Sequence, residues 1–136
     1  MHCIAGTKGA EFIPEFDTNL IDVFVKKGMD PKVEMYSAFT DAFGNSDSTG
    51  RAVDIEVRDV LSEQGVRDVF VAGLAGDFCV KCTAIDAVNA GFRCFFIEDA
   101  SRCVAPENWE STKQDLRDAG VFVVRTDGPE LSGRVP

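Results

Sequence analysis

Three short apolar runs stand out from the polar background of this chain: Val69–Ala72, Cys94–Ile97 and Val121–Val124. Runs of that length that are continuous rather than alternating predict strands buried on both faces of a parallel sheet. A fourth strand is predicted at Ile21–Lys27, ended by Gly28. Between these runs the apolar positions change to helical spacing. Val53, Val57, Val60 and Leu61 fall on one face of a helix predicted over Val53–Gln64, with Gly65 as its stop. A second helix is predicted over Cys79–Asn89, with Val80, Ala84, Ala87 and Val88 inward and Gly91 closing it, and a third over Glu107–Ala119 before Gly120. Strands alternating with helices indicate an α/β fold of three layers, α-β-α, with helices covering a parallel sheet. Residues 1–20 read as loop with one helical turn near Thr18–Leu20. Residues 29–52 form a long irregular segment, of the kind that serves as a lid or an insertion, and the tail from Thr126 reads as frayed.

Composition narrows the class. The 136 residues suit one domain, and 45% hydrophobic with 27% charged residues describes a globular chain. A net charge of −9 argues against nucleic acid or an anionic membrane as partner. No apolar run approaches the ~18 residues of a membrane span, and the N-terminal residues lack the apolar stretch of a signal peptide. Five cysteines, an odd number without a secretion signal, point to free thiols in a reducing compartment, hence the cytoplasm.

The chemistry concentrates after the central strand. Gly73-Leu74-Ala75-Gly76 makes a small-residue turn, and Cys79 follows at the start of a helix, where backbone N–H groups favour a thiolate. The competing reading is a cysteine used as a small core residue. Lys26 and Lys27 sit at a strand's carboxyl end, the edge at which open α/β sheets place ligands. Tyr36-Ser37-Ala38-Phe39 keeps two aromatics inside an otherwise polar segment. His2 is the only histidine, and a lone histidine is more often structural than a metal ligand. Cys79-Val80-Lys81-Cys82 is a Cys-x-x-Cys at a helix start, which allows a thiol redox role, although the surrounding residues are not those of a thioredoxin-like site. Cys3, Cys94 and Cys103 supply no second pair for a zinc site.

Taken together, Gly73-Leu74-Ala75-Gly76-Asp77-Phe78-Cys79-Val80, Lys27-Gly28 with Tyr36-Ser37-Ala38-Phe39, and His2-Cys3 with Gly6-Thr7 and Gly9-Ala10-Glu11-Phe12 resemble the isochorismatase-like cysteine hydrolases of the nicotinamidase (pyrazinamidase) type. Asp99-Ala100-Ser101-Arg102 is a weaker match. The resemblance implies a Rossmann-like parallel sheet and an amidohydrolase in NAD salvage that turns nicotinamide and water into nicotinate and ammonia. It implies Cys79 as nucleophile, Lys27 beside it with Lys26 as a register rival, and a cis peptide before Ala75. The backbone N–H groups of Ala75 and Cys79 would form the oxyanion hole, and Tyr36, Phe39 and Phe78 would border the substrate ring. His2 would be a ligand of a divalent metal, zinc or iron, and Asp77 would be structural. Family members begin with a strand that carries an aspartate base and continue to an Asp-x-His pair. Met1 precedes His2 directly here, so the resemblance implies an N-terminally truncated, incomplete hydrolase domain over residues 1–136, missing the first two strands of the family fold. No residue present matches the base. Two other functions stay open beside the hydrolase: a non-catalytic remnant or interaction module, and the redox protein through Cys79 and Cys82. A homo-oligomer is also left open.

Overall fold

The computed structural model describes residues 4, 6–44 and 54–132. Strands β1 (Asp68–Leu74), β2 (Arg93–Arg102) and β3 (Phe122–Val124) form a parallel sheet in the order β1-β2-β3. Helix α1 (Val57–Glu63) precedes β1, α2 (Lys81–Asn89) connects β1 to β2, and α3 (Trp109–Asp118) connects β2 to β3. This is the α/β alternation that the apolar pattern predicts. No helix among the described residues is long and apolar enough to cross a membrane.

Pleating sorts the strand residues. Val71, Cys94 and Phe96 point into one core with Ala84 and Ala87 of α2 and Leu116 of α3, and Val57 and Leu61 of α1 pack against it. Phe70, Phe95 and Phe122 project from the opposite face. Their rings stack across the three strands at centroid distances of 4.6 and 5.2 Å, because Phe70 is opposite Phe95 and Phe95 opposite Phe122 in the parallel register. The inward set expected for α2 holds: Val80, Ala84 and Ala87 are buried and Val88 packs on the core.

The structure corrects several boundaries. Ile21–Lys27 is not a strand among the described residues. The segment is extended but forms no ladder, and Lys27 makes only an isolated bridge. A strand exists through its neighbours' hydrogen bonds, and here the Lys26 N–H donates to the Asp54 carboxylate at 2.7 Å while the Lys26 carbonyl accepts from the Asp54 N–H at 3.1 Å. Helix α1 begins at Val57 rather than Val53, which lies outside the described residues. It ends as expected: Gly65 has φ +67°, and the Val66 N–H reaches back to the Leu61 carbonyl at 3.0 Å. Helix α3 starts at Trp109, after a 3-10 turn at Pro106–Asn108. The Thr18–Leu20 turn is present as a 3-10 helix.

The largest difference is in β2, which runs on through Glu98–Arg102 instead of stopping at Ile97. Val71 pairs with Phe96 and Gly73 with Ser101, so two steps along β1 match five along β2. The surplus is a bulge, which bends the strand and re-aims the residues after it. Ser101 thereby comes beside the turn that leads to Cys79.

Candidate active site

The turn after β1 is shaped by close packing. Gly73 has φ +118°, a conformation that side-chain-bearing residues rarely adopt. A Cβ on Gly76 would meet the Trp109 ring at 3.2 Å and the Arg102 backbone at 3.4 Å. The Leu74–Ala75 peptide is cis, as the resemblance implies. Cys79 does not open the α-helix itself. Gly76–Val80 forms one wide π-type turn, with the Val80 N–H bonded to the Ala75 carbonyl at 3.0 Å, and the α-helical geometry starts at Lys81. The nucleophile candidate therefore lies within the first turn of the helical segment.

Two polar residues tie this turn to β2 and its exit. Ser101, 1% exposed, accepts from the Gly73 N–H at 3.3 Å and donates to the Ile97 carbonyl at 2.9 Å. Asp77, 6% exposed, accepts from the Val104 N–H at 2.9 Å, the Asn108 amide at 3.2 Å and the Ala105 N–H at 3.4 Å. Burial pushes the Asp77 carboxyl up, but those three donors outweigh it and hold the group below the ordinary aspartate value. Asp77 is thus a structural tie, in line with its expected role.

Lys27 is half-buried, and its Nζ lies 3.5 Å from the Cys79 Sγ while donating to the Met35 carbonyl at 3.0 Å. Lys26 is exposed, and its backbone is engaged with Asp54. Of the two register rivals, Lys27 is the one at the thiol. Lys27, Cys79 and Thr83 share a cleft of about 330 Å³ with Phe70, Val71, Ala72 and Leu74. Tyr36 and Phe78, each about two-fifths exposed, approach with ring centroids 5.6 Å apart.

Phe39 goes elsewhere. It is 6% exposed and joins the core with its ring 6.3 Å from that of Phe92, so the structure does not bring it to the Tyr36–Phe78 pair. The Met35–Phe39 stretch alternates like a strand, with Met35, Ser37 and Phe39 buried and Tyr36 exposed. That alternation separates its two aromatics. His2 lies outside the described residues. Among the described residues no group of three or more His, Cys, Asp or Glu side chains is arranged to hold a metal ion. The described residues therefore supply no ligand set for the expected metal.

Thr83 is the site-lining residue that the sequence reading missed. Its hydroxyl donates to the Cys79 carbonyl at 2.7 Å and accepts from the Ala38 N–H at 3.0 Å. Its position four residues after Cys79, one helical turn on, was the only available signal. Cys82, one turn along α2 from Cys79, is half-buried and borders a different cleft with Tyr36, Ser37 and Thr40; burial is the main cause of its raised thiol pKa. The described cysteines, Cys79, Cys82, Cys94 and Cys103, are all free.

Residues 1–128 match the family model described as "Isochorismatase domain". Nicotinamidase of Schizosaccharomyces pombe is 34% identical over 130 residues, covering 96% of this chain and 55% of that protein. Among solved structures, PnC1 from L. infantum in complex with nicotinate aligns with TM-score 0.81 at 34% identity, over 92% of this chain and 59% of that one. Pyrazinamidase of Pyrococcus horikoshii in complex with zinc aligns with TM-score 0.74 at 29% identity, over 92% and 62%. The chain spans about half the length of the curated relatives it matches. With its three-stranded parallel sheet and flanking helices superposing on those structures, and the family model matching residues 1–128, the chain belongs to the isochorismatase domain family.

Proposed function

We propose that this chain is a nicotinamidase-type amidohydrolase, converting nicotinamide and water to nicotinate and ammonia through a thioester on Cys79. The observation that carries the reading is the Lys27 Nζ at 3.5 Å from the Cys79 Sγ in a cleft open to a small molecule. The thiolate is the attacking form of a cysteine, and the Lys27 ammonium is placed to donate to its sulfur. The thiolate attacks the carboxamide carbon, forming a C–S bond, and the carbonyl oxygen takes up the negative charge. The backbone N–H groups of Ala75 and Cys79 are the proposed donors to that oxygen. The thiol's proton goes to solvent water. Collapse breaks the C–N bond as the nitrogen takes a proton back from water and leaves as ammonia. A second water then cleaves the thioester, its hydroxyl staying on nicotinate and its proton returning to the sulfur. Tyr36 and Phe78, whose half-exposed rings pair 5.6 Å apart, are the proposed neighbours of the pyridine ring.

The relatives' names and the nicotinate held by the L. infantum structure support this substrate class. On this reading residues 1–136 form one domain, and the protein works in the cytoplasm in NAD salvage. A divalent metal enters this reading only through His2, which lies outside the described residues. The test is ammonia release from nicotinamide by the purified chain, with and without added zinc. Release that disappears in Cys79→Ala is the expected result. Equal release by that variant would remove Cys79 as nucleophile, and no release by the unaltered chain would favour the non-catalytic reading.

A further inference from the structure

We propose that Thr83 is a positioning residue that sets the spacing between Lys27 and the Cys79 thiol. The inference rests on the reading of Cys79 as nucleophile with Lys27 as its cation. The bonds form a closed circuit. The Lys27 ammonium is held by the Met35 carbonyl at 3.0 Å and faces the Cys79 Sγ at 3.5 Å. Met35 leads through Tyr36 and Ser37 to Ala38, whose N–H donates to the Thr83 hydroxyl at 3.0 Å. That hydroxyl donates in turn to the carbonyl of Cys79 itself, at 2.7 Å.

One hydroxyl thus joins the backbone of the segment that anchors the lysine to the backbone of the nucleophile. Cys79 and Thr83 sit in the helical segment, but the lysine side of the circuit has no regular structure to fix it: residues 28–44 contain no helix or strand, and Lys27 makes only an isolated bridge. A second tie, the Thr40 hydroxyl to Asp86 at 2.5 Å, holds the far end of the segment to the next turn of α2. It lies outside the circuit that includes Met35. Threonine suits the role because its single hydroxyl both donates and accepts, whereas valine has the same shape and does neither.

The test reads the thiol directly and needs no amidase turnover. Purified chains are treated with iodoacetamide near neutral pH, and the alkylation of each cysteine is followed by peptide mass spectrometry. Cys94 reports folding, since it is fully buried and burial pushes its thiol up to about 11. Lys27→Met is expected to slow Cys79 about tenfold, the loss of one charge-assisted hydrogen bond. Thr83→Val is expected to slow it by a similar factor, and Thr83→Ser to restore it. The double variant Lys27→Met/Thr83→Val is expected to remain about tenfold slow, where independent effects would multiply to about a hundredfold. Asp86→Asn, which weakens only the outer tie, is expected to stay within about twofold.

Unchanged reactivity in Thr83→Val, multiplicative effects, a serine variant as slow as valine, or an equal effect of Asp86→Asn would each overturn the proposal. If Thr83→Val exposes Cys94, Thr83→Ala is read in the same way. Exposure of Cys94 in both variants also overturns it, because Thr83 would then support the fold and not the spacing. Failure of ammonia release with the alkylation pattern intact removes only the amidase reading.

Discussion

Asp77→Asn keeps the shape of a buried side chain and removes the charge that its neighbours are arranged around. The carboxylate accepts from the N–H groups of Val104 and Ala105 and from the Asn108 amide. An asparagine there must turn either its amide nitrogen toward donors or leave one of them unmatched. Hydrogen bonds to a charged group are worth about 1.5–3 kcal/mol each. The Val104 bond is short at 2.9 Å, while those of Asn108 and Ala105 are longer at 3.2 and 3.4 Å. The loss should therefore amount to about one strong bond plus a fraction, or about 2–3 kcal/mol. The assay is urea unfolding followed by the fluorescence of Trp109, the only tryptophan, whose ring lies against Gly76 in the same turn. The pH dependence adds a second constraint. The folded-state carboxyl is held below its ordinary value of 3.8, so its stabilisation is complete above that value and is lost as pH falls through the lower folded-state value. The gap between wild type and variant should be full near neutral pH and should narrow in acid. A gap under about 0.5 kcal/mol near neutral pH, smaller than the weakest typical hydrogen bond, would refute the assignment of Asp77 as the tie. A gap that does not change with pH would show that the amide group facing other donors, and not the lost charge, is responsible.

Gly76→Ala should destabilise the chain by about 1–3 kcal/mol through overpacking, since the new methyl meets the Trp109 ring and the Arg102 backbone, and urea unfolding measures it. A neutral result would mean that Trp109 gives way, which a shift in its emission would report. Phe96→Ala should cost about 3–5 kcal/mol in the same assay, because the Phe96 side chain is fully buried on the core face of β2 beside Trp109.

The parts of the fold that local pattern could specify were legible. Continuous apolar runs marked β1, β2 and β3, and apolar residues at helical spacing marked the inner face of α2, because burial on both faces and burial on one stripe leave different periodicities. Ile21–Lys27 reads as a strand by the same pattern and yet makes no ladder, since strand propensity has no effect without hydrogen-bonding neighbours. The continuation of β2 through Glu98–Arg102 was also hidden. Those residues follow the end of the apolar run, and only their pairing with Gly73 and Leu74 across the bulge makes them strand.

By itself, the sequence determined that a cysteine follows a tight glycine turn at the carboxyl end of the strand that becomes β1, and that a lysine and an aromatic segment accompany it. Chain chemistry at that level is local, so residue types and spacing suffice. The resemblance named Lys27 rather than Lys26, and the tertiary structure brings Lys27 to the thiol, because a one-residue step turns the side chain to the other side of the backbone. The tertiary structure also decided that Tyr36 stays exposed beside Phe78 while Phe39 enters the core, and that Thr83 joins Ala38 to Cys79 across 45 residues of sequence on one side and 4 on the other. Those outcomes depend on contacts between segments distant in the chain, which neither periodicity nor motif encodes.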